Sequence, residues 1–181
     1  MFQAKPVEVQ TSNFGGSQGT LFNDSQTASG FPKSEGGVFI NPQNPIQQMD
    51  IYAGWCVDAM NTTYRMSDGS TKLINRGSVQ EPSPNMTRVT LNANEIITQI
   101  CGFAGNYPYY QKSLLIQTTL VITDTTTGKI RTIGPLGGQN GLADGQFFSV
   151  SNPLALAGFE TAGSSQIGIS GLSIIKSNLV E

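Results

Sequence analysis

Residues 46–65 read IQQMDIYAGWCVDAMNTTYR, and the rest of the chain is organised around them. Two strand-like runs flank a tight break at Ala53-Gly54-Trp55. Before the break, Ile46, Met49 and Ile51 are spaced for burial. After it, Val57, Ala59, Asn61, Thr63 and Arg65 oppose Asp58, Met60, Thr62 and Tyr64 in the period-2 sense of a strand. The break holds the only Trp, with a Gly before it and Asp58 three residues after it. A ring in a glycine turn, within reach of a carboxylate, suits an upright polyol better than a phosphate or a metal. The stretch is expected to bind sugar through C–H contacts to the ring and hydroxyl donation to the acid.

Composition narrows the alternatives. The 181 residues suffice for one domain with its own core. Charged residues are only 12%, about half the usual ~25%, and Ser, Thr, Asn and Gln take their place beside 21 Gly. That balance fits an all-β chain rich in turns. Net charge −2 leaves no electrostatic footprint for nucleic acid, and no segment is long and apolar enough for membrane insertion. The absence of histidine rules out Ser-His-Asp and Cys-His activation and removes the commonest transition-metal ligand. Cys56 and Cys101 form no CxxC pair. They read as buried free thiols, a disulfide requiring their strands to be neighbours. The opening MFQAKPVEVQ lacks the basic and apolar regions of a secretion signal. The expectation is an intracellular or leaderless protein, secretion by another route not being excluded, with the sequons at Asn61 and Asn85 unused.

Along the chain, strands are expected at residues 6–10, 87–91, 96–103, 114–124, 130–133, 147–150, 154–159 and 167–176. Glycine-rich loops are expected at 13–24 and 134–145, the latter no phosphate loop because no Gly-Lys-Ser/Thr follows. Residues 25–45 read as a long inserted loop with one edge strand at Val38–Ile40, and 105–112 as an aromatic loop. No segment shows sustained helical periodicity with caps. Three times an apolar strand meets a glycine-containing break and leaves as another apolar strand: around Gly54, around Gly102 to Tyr110, and around Gly158 to Gly168. Three such modules imply a pseudo-threefold body with loops at related positions.

The order of these features resembles the jacalin-related lectins over nearly the whole chain. Gly15-Gly16-Ser17-Gln18-Gly19-Thr20-Leu21-Phe22-Asn23-Asp24 is similar to the family's opening Gly-Gly loop and Phe-Asp-Asp strand. Val57-Asp58-Ala59 with Tyr64 and Asp68-Gly69 resembles its second module. Asn94-Glu95-Ile96-Ile97 followed by Gly102-Phe103-Ala104-Gly105 resembles "E-x-I … V-S-G". Leu120-Val121-Ile122-Thr123-Asp124 followed by Ile133-Gly134-Pro135-Leu136-Gly137 resembles "L-x-F-x-T … Y-G-P-x-G", and Ala157-Gly158-Phe159 the "V-G-F" before the last sugar loop. The resemblance implies an all-β fold, a β-prism of the jacalin type with three sheets and pseudo-threefold symmetry, as a single lectin domain over residues 1–181. It further implies a non-enzymatic, metal-independent protein with no cofactor, whose partners are glycans or glycoproteins and which can form a homodimer.

The family's usual sugar site joins the Gly-Gly loop to a G-x-x-x-D loop before the final strand. Here Gly15 and Gly16 keep the first half, but aligning Gly158-Phe159 and Gly171 puts Gly168 where the family's aspartate stands. The Gly163, Ser164, Ser165 and Gln166 loop keeps backbone N–H groups and polar side chains for weaker or altered binding. The complete motif survives as Gly54-Trp55-Cys56-Val57-Asp58, in the related loop that some mannose-binding members use as a second site. Asp58 would accept from two hydroxyls, the Trp55 and Cys56 N–H groups would donate, and residues 76–80 would form the opposite wall. The bland alternative packs Trp55 against its neighbours and leaves Asp58 capping a turn. Asn106, Tyr107, Tyr109 and Tyr110 have no acid in register and read chiefly as edge packing.

In this family galactose preference goes with a cleaved chain, so an intact chain favours mannose- or glucose-type glycans, with galactose as the alternative. A glycoside hydrolase would need two facing carboxylates, and Asp58 has no partner acid nearby in sequence. A protein-interaction scaffold that has lost sugar binding is the third reading, suggested by Gly168 and the 25–45 insertion.

Overall fold

The computed structural model describes residues 7–30, 37–79, 85–161 and 168–177. The chain opens with β1 (Glu8–Gln10), β2 (Phe14–Gly15) and β3 (Thr20–Asn23), then a short helix α1 (Asp24–Ser29). Next come β4 (Ile46–Ala53), β5 (Val57–Arg65), β6 (Thr71–Gly77) and β7 (Met86–Thr90). The long pair β8 (Glu95–Tyr107) and β9 (Lys112–Asp124) follows, then β10 (Ile130–Gly137) and β11 (Asp144–Ser151). The last hairpin is β12 (Pro153–Glu160) and β13 (Ile169–Ser177).

The expected breaks lie along three central hairpins, β4-β5, β8-β9 and β12-β13, each of which organises one antiparallel sheet, although Gly102 and Gly158 themselves sit within β8 and β12 and residues 162–167 lie outside the described residues. One sheet runs β6-β5-β4-β7, the second β10-β9-β8-β11. The third runs β1-β13-β12-β3, with β2 also lying on β13. The same rule holds in all three: one flanking strand pairs with the second strand of the hairpin, another with the first. This is the expected threefold β-prism arrangement. Period-2 alternation explains the inward faces; on β5 Met60, Thr62 and Tyr64 are buried while Asn61, Thr63 and Arg65 are not. Ile46, Met49, Ile51, Ile100, Leu120, Ile122, Leu156 and Ile174 from the three sheets join one core cluster. Burying side chains of this size contributes about 1.5–3 kcal/mol each.

Three sequence expectations are corrected. Residues 24–29 form α1 rather than the start of a loop: the Asn23 side chain accepts from the Gln26 N–H at 2.9 Å and caps it. Of the expected edge strand at Val38–Ile40, only an isolated bridge between Ile40 and Met66 forms. Gly134–Gly137 completes β10, and Gly105–Tyr107 completes β8, so both glycine-bearing loops are shorter than their composition suggests. Cys56 and Cys101 are free thiols.

A buried polar clamp fixes α1 against two sheets. The Tyr64 hydroxyl donates to Asp24 at 2.6 Å and accepts the Leu156 N–H at 3.1 Å. Arg76 reaches Asp24 at 2.7 Å and Glu160 at 3.1 Å, and Glu160 also accepts the Gly77 N–H at 2.6 Å. Burial raises the Asp24 pKa, opposed by the hydrogen bonds from Tyr64 and Arg76.

Candidate functional site

The hairpin turn between β4 and β5 carries Gly54, Trp55 and Cys56, and Asp58 is the second residue of β5. The Gly54 N–H donates to the Cys56 carbonyl at 2.9 Å and closes the turn. From below, Gly138 donates to the Trp55 carbonyl at 3.2 Å and Gln139 to the Gly54 carbonyl at 3.1 Å. The turn after β10 therefore carries the loop. That support was not seen in the sequence, where 134–145 looked like an ordinary glycine-rich connection. A signal for it exists. Gly15, Gly77 and Gly137 end β2, β6 and β10, the strands flanking the three hairpins, with φ of +94°, +86° and +88°. Only glycine adopts this conformation freely, so the opening Gly-Gly loop has two counterparts.

Trp55 is 40% exposed and Asp58 half-buried, so neither is part of the core. The Asp58 carboxylate takes one contact, from the Cys56 thiol, 3.5 Å from Oδ1. Burial pushes the Cys56 pKa up, and the neighbouring Asp58 charge adds to this, so the thiol keeps its proton. Burial also raises the pKa of Asp58, and the thiol hydrogen bond lowers it in part. Among the described residues every other carboxylate accepts from an N–H or O–H group. Glu8 takes Ser25, Asp24 takes Tyr64, Asp50 takes Arg88, Asp68 takes Ser70, and Glu95 takes Arg131. Asp124 takes the Thr126 N–H, Asp144 takes Asn106, and Glu160 takes Arg76. Asp58 alone among them is left with only a weak sulfur donor. Asp58 is only half-buried and has no oxygen sealed from solvent without a partner, so its remaining lone pairs are open to water or to incoming hydroxyl donors. Among the described residues the Trp55 and Cys56 N–H groups likewise have no partner within the chain.

The expected opposite wall is different. Arg76 turns away to Asp24 and Glu160, and Ser78 donates its N–H to the Asp58 carbonyl at 3.1 Å. The wall comes instead from the β8–β9 turn. Tyr109 meets Trp55 at 5.1 Å between ring centroids, nearly perpendicular, and Tyr110 lies 6.3 Å from it. Such pairs contribute about 0.5–1.5 kcal/mol beyond area burial. Tyr110 packs on the cluster of Cys56, Tyr107, Leu114 and Ile116. Of the tyrosines in this loop only Tyr107, 2% exposed, is interior packing. On the other side of Gly54 an open cleft of about 250 Å³, lined by Ala53, Met86, Pro135 and Gln139 among others, carries no carboxylate among the described residues.

The first-module half-site is built differently. Gly16 donates its N–H to the Ser170 carbonyl at 2.7 Å, so that donor is already used. A side chain on Gly15 would meet the Ser170 carbonyl at 2.7 Å, and one on Gly16 the Ser113 carbonyl at 2.9 Å. Gly163, Ser164, Ser165 and Gln166 lie outside the described residues. Gly168 abuts the Asp58 main chain, and a Cβ there would overlap the Asp58 carbonyl. No side chain fits at the position of the family's aspartate while β5 holds Asp58 where it is. The structure thus gathers Gly54, Trp55, Cys56 and Asp58 in one hairpin turn, while Gly15 and Gly16 lie against β13 and β9.

Comparison with known proteins agrees with this architecture. Malaysian banana lectin superposes with a TM-score of 0.66 at 18% identity, over 93% of this chain and 97% of that one. A mannose-binding jacalin-related lectin from Ananas comosus gives 0.66 at 21% identity, over 93% and 96%. A mannose-specific jacalin-related lectin from Morus nigra, solved with mannose, gives 0.66 at 16% identity, over 98% and 97%. A search of curated protein sequences finds no match. The sequence profile described as the jacalin-like lectin domain matches residues 11–171. Lectins are carbohydrate-binding proteins without enzymatic activity. With the three-sheet prism and a match over nearly its full length, the chain belongs to the jacalin-like lectin family.

Proposed function

We propose that this lectin domain binds mannose- or glucose-type glycans at the β4–β5 hairpin turn, without metal. The observation that carries the reading is Asp58, the one described carboxylate with no N–H or O–H donor, standing beside exposed Trp55. Two sugar hydroxyls would supply the missing donors, each charge-assisted bond being worth about 1.5–3 kcal/mol. The Trp55 and Cys56 amides would donate to sugar oxygens, and Trp55 would cover a C–H face. Two of the superposed lectins are described as mannose-binding or mannose-specific, which supports this preference over galactose. The Gly15-Gly16 half-site would contribute little, because Gly168 brings no carboxylate and Gly16 has spent its N–H.

A glycan array with the wild type and Asp58→Ala, repeated in EDTA, tests the reading. Mannoside signals present in the wild type, unchanged by EDTA and lost in a folded Asp58→Ala variant are expected. Galactoside signals alone would reverse the preference. Binding unaltered in Asp58→Ala would move the site elsewhere, and a blank wild-type array would favour the protein-interaction scaffold that lacks the first-module aspartate.

A further inference from the structure

The turn that supports the β4–β5 loop contains a chemically unstable dipeptide. Residues 138–141 read GQNG, and Asn140 is the chain's only asparagine followed by glycine. Both residues of the pair are exposed. Gly141 sits at φ +84°, and a Cβ built on it would meet nothing within 4 Å, so no side chain shields its nitrogen. Other asparagines are tied down. Asn23 caps α1, Asn41 accepts the Gln43 N–H, and Asn94 and Asn106 donate to Asp124 and Asp144. Among the described residues the Asn140 side chain has no such partner. The turn is closed by one bond, from the Gly141 N–H to the Gly138 carbonyl at 3.0 Å. A surface turn closed this lightly opens at low free energy. Yet the same turn holds the Trp55 and Gly54 carbonyls, through the Gly138 and Gln139 N–H groups at 3.2 and 3.1 Å.

We infer that Asn140 is a site of spontaneous deamidation, and that its conversion loosens the β4–β5 turn. The Gly141 backbone nitrogen gives its proton to water or hydroxide and attacks the Asn140 side-chain carbonyl carbon. The new C–N bond closes a succinimide ring, and the side-chain nitrogen leaves as ammonia. Water then opens the ring at either carbonyl, leaving aspartate or isoaspartate at position 140. One ammonia is lost for one water gained, and nothing is oxidised or reduced. Isoaspartate routes the main chain through its Cβ and lengthens the turn by one methylene. Gly138 and Gln139 then cannot hold both carbonyls in register, and the turn preceding Asp58 loses its preset geometry. The effect on binding rests on the sugar-binding reading of Asp58 given above, whereas the modification does not.

The test ages the whole folded chain in mildly alkaline buffer, maps it by mass spectrometry and labels it with a protein isoaspartyl methyltransferase. Asn140 should be the first asparagine to convert, with isoaspartate as the larger product. Affinity for methyl α-mannoside, by calorimetry, should fall about two- to tenfold in the converted chain, the order of one supporting hydrogen bond. Emission of Trp55, the chain's single Trp, should shift over the same time course. Asn140→Ser keeps a turn-forming residue and should show none of these changes after the same ageing. If Asn140 stays intact in the folded chain but converts in chain unfolded by urea, the turn protects it and the inference is refuted. Conversion that leaves both emission and affinity as in the fresh chain refutes it equally. If the fresh chain binds no mannoside, the Asp58 reading fails by itself, while mapping and emission still decide the fate of Asn140.

Discussion

Asp58 pays for its position by being partly desolvated without a strong donor, and this gives it a pH signature. Its carboxyl holds a proton more tightly in the folded chain than in the unfolded one, whose value is about 3.9. Two effects of opposite sign follow. The stability contribution is fully present below the unfolded value and is lost as pH rises through the folded one. Sugar affinity needs the ionised form and falls as pH drops through that same raised value. We therefore expect mannoside binding to weaken on acidification earlier than an ordinary carboxylate would allow, and Asp58→Asn to bind weakly with no such pH dependence. Calorimetric titration across the acid range would show either behaviour. Gly168 is the second residue whose environment decides its identity. Replacing it with Ala drives a methyl group into the Asp58 carbonyl and should cost about 1–3 kcal/mol of stability, read as a lowered thermal midpoint. Gly168→Asp should fare no better and should not recover a first-module site.

At the scale of elements, α1 and the hairpins depend on the Asp24–Arg76 clamp. Arg76→Ala leaves Asp24 buried without its charge partner and should cost about 3–5 kcal/mol. Tyr64→Phe removes the hydroxyl donor to Asp24 and the acceptor for the Leu156 N–H, and should cost about 1–3 kcal/mol. Denaturant melts of the two variants would rank them. Neither partner set was legible beforehand, because Arg76 meets Asp24 and Glu160 across sequence separations that carry no periodic trace. The hairpins were legible for the opposite reason. Runs such as LLIQTTLVITD and ISGLSIIKS alternate or stay apolar over the whole strand, and glycine marks where each returns. The helix was not, since DSQTAS spans too few residues for a 3.6 period and only the Asn23 cap announces it. Asp58 could be singled out from its motif, whereas its shortage of donors and the Tyr109 contact exist only once the loops are packed together. The reason Gly168 has no side chain was equally invisible without the neighbouring strand.

For the molecule as a whole, threefold design does not make three equal sites. Among the described residues only the β4–β5 turn joins an exposed aromatic ring to a carboxylate lacking N–H or O–H donors, so calorimetry with a mannoside should return about one site per chain. Strong binding to cell surfaces would then depend on several copies of the chain or on clustered glycans. The sheet that combines β1, β2 and β3 with β12 and β13 has a further consequence. The other two sheets are made of strands close to one another in sequence. This one cannot form until both extremes of the domain are available. During synthesis its early strands must wait, edges unpaired, while most of the domain emerges from the ribosome. Closure of that sheet should be the slow, final event of folding, and the interval before it is when self-association most threatens the nascent chain.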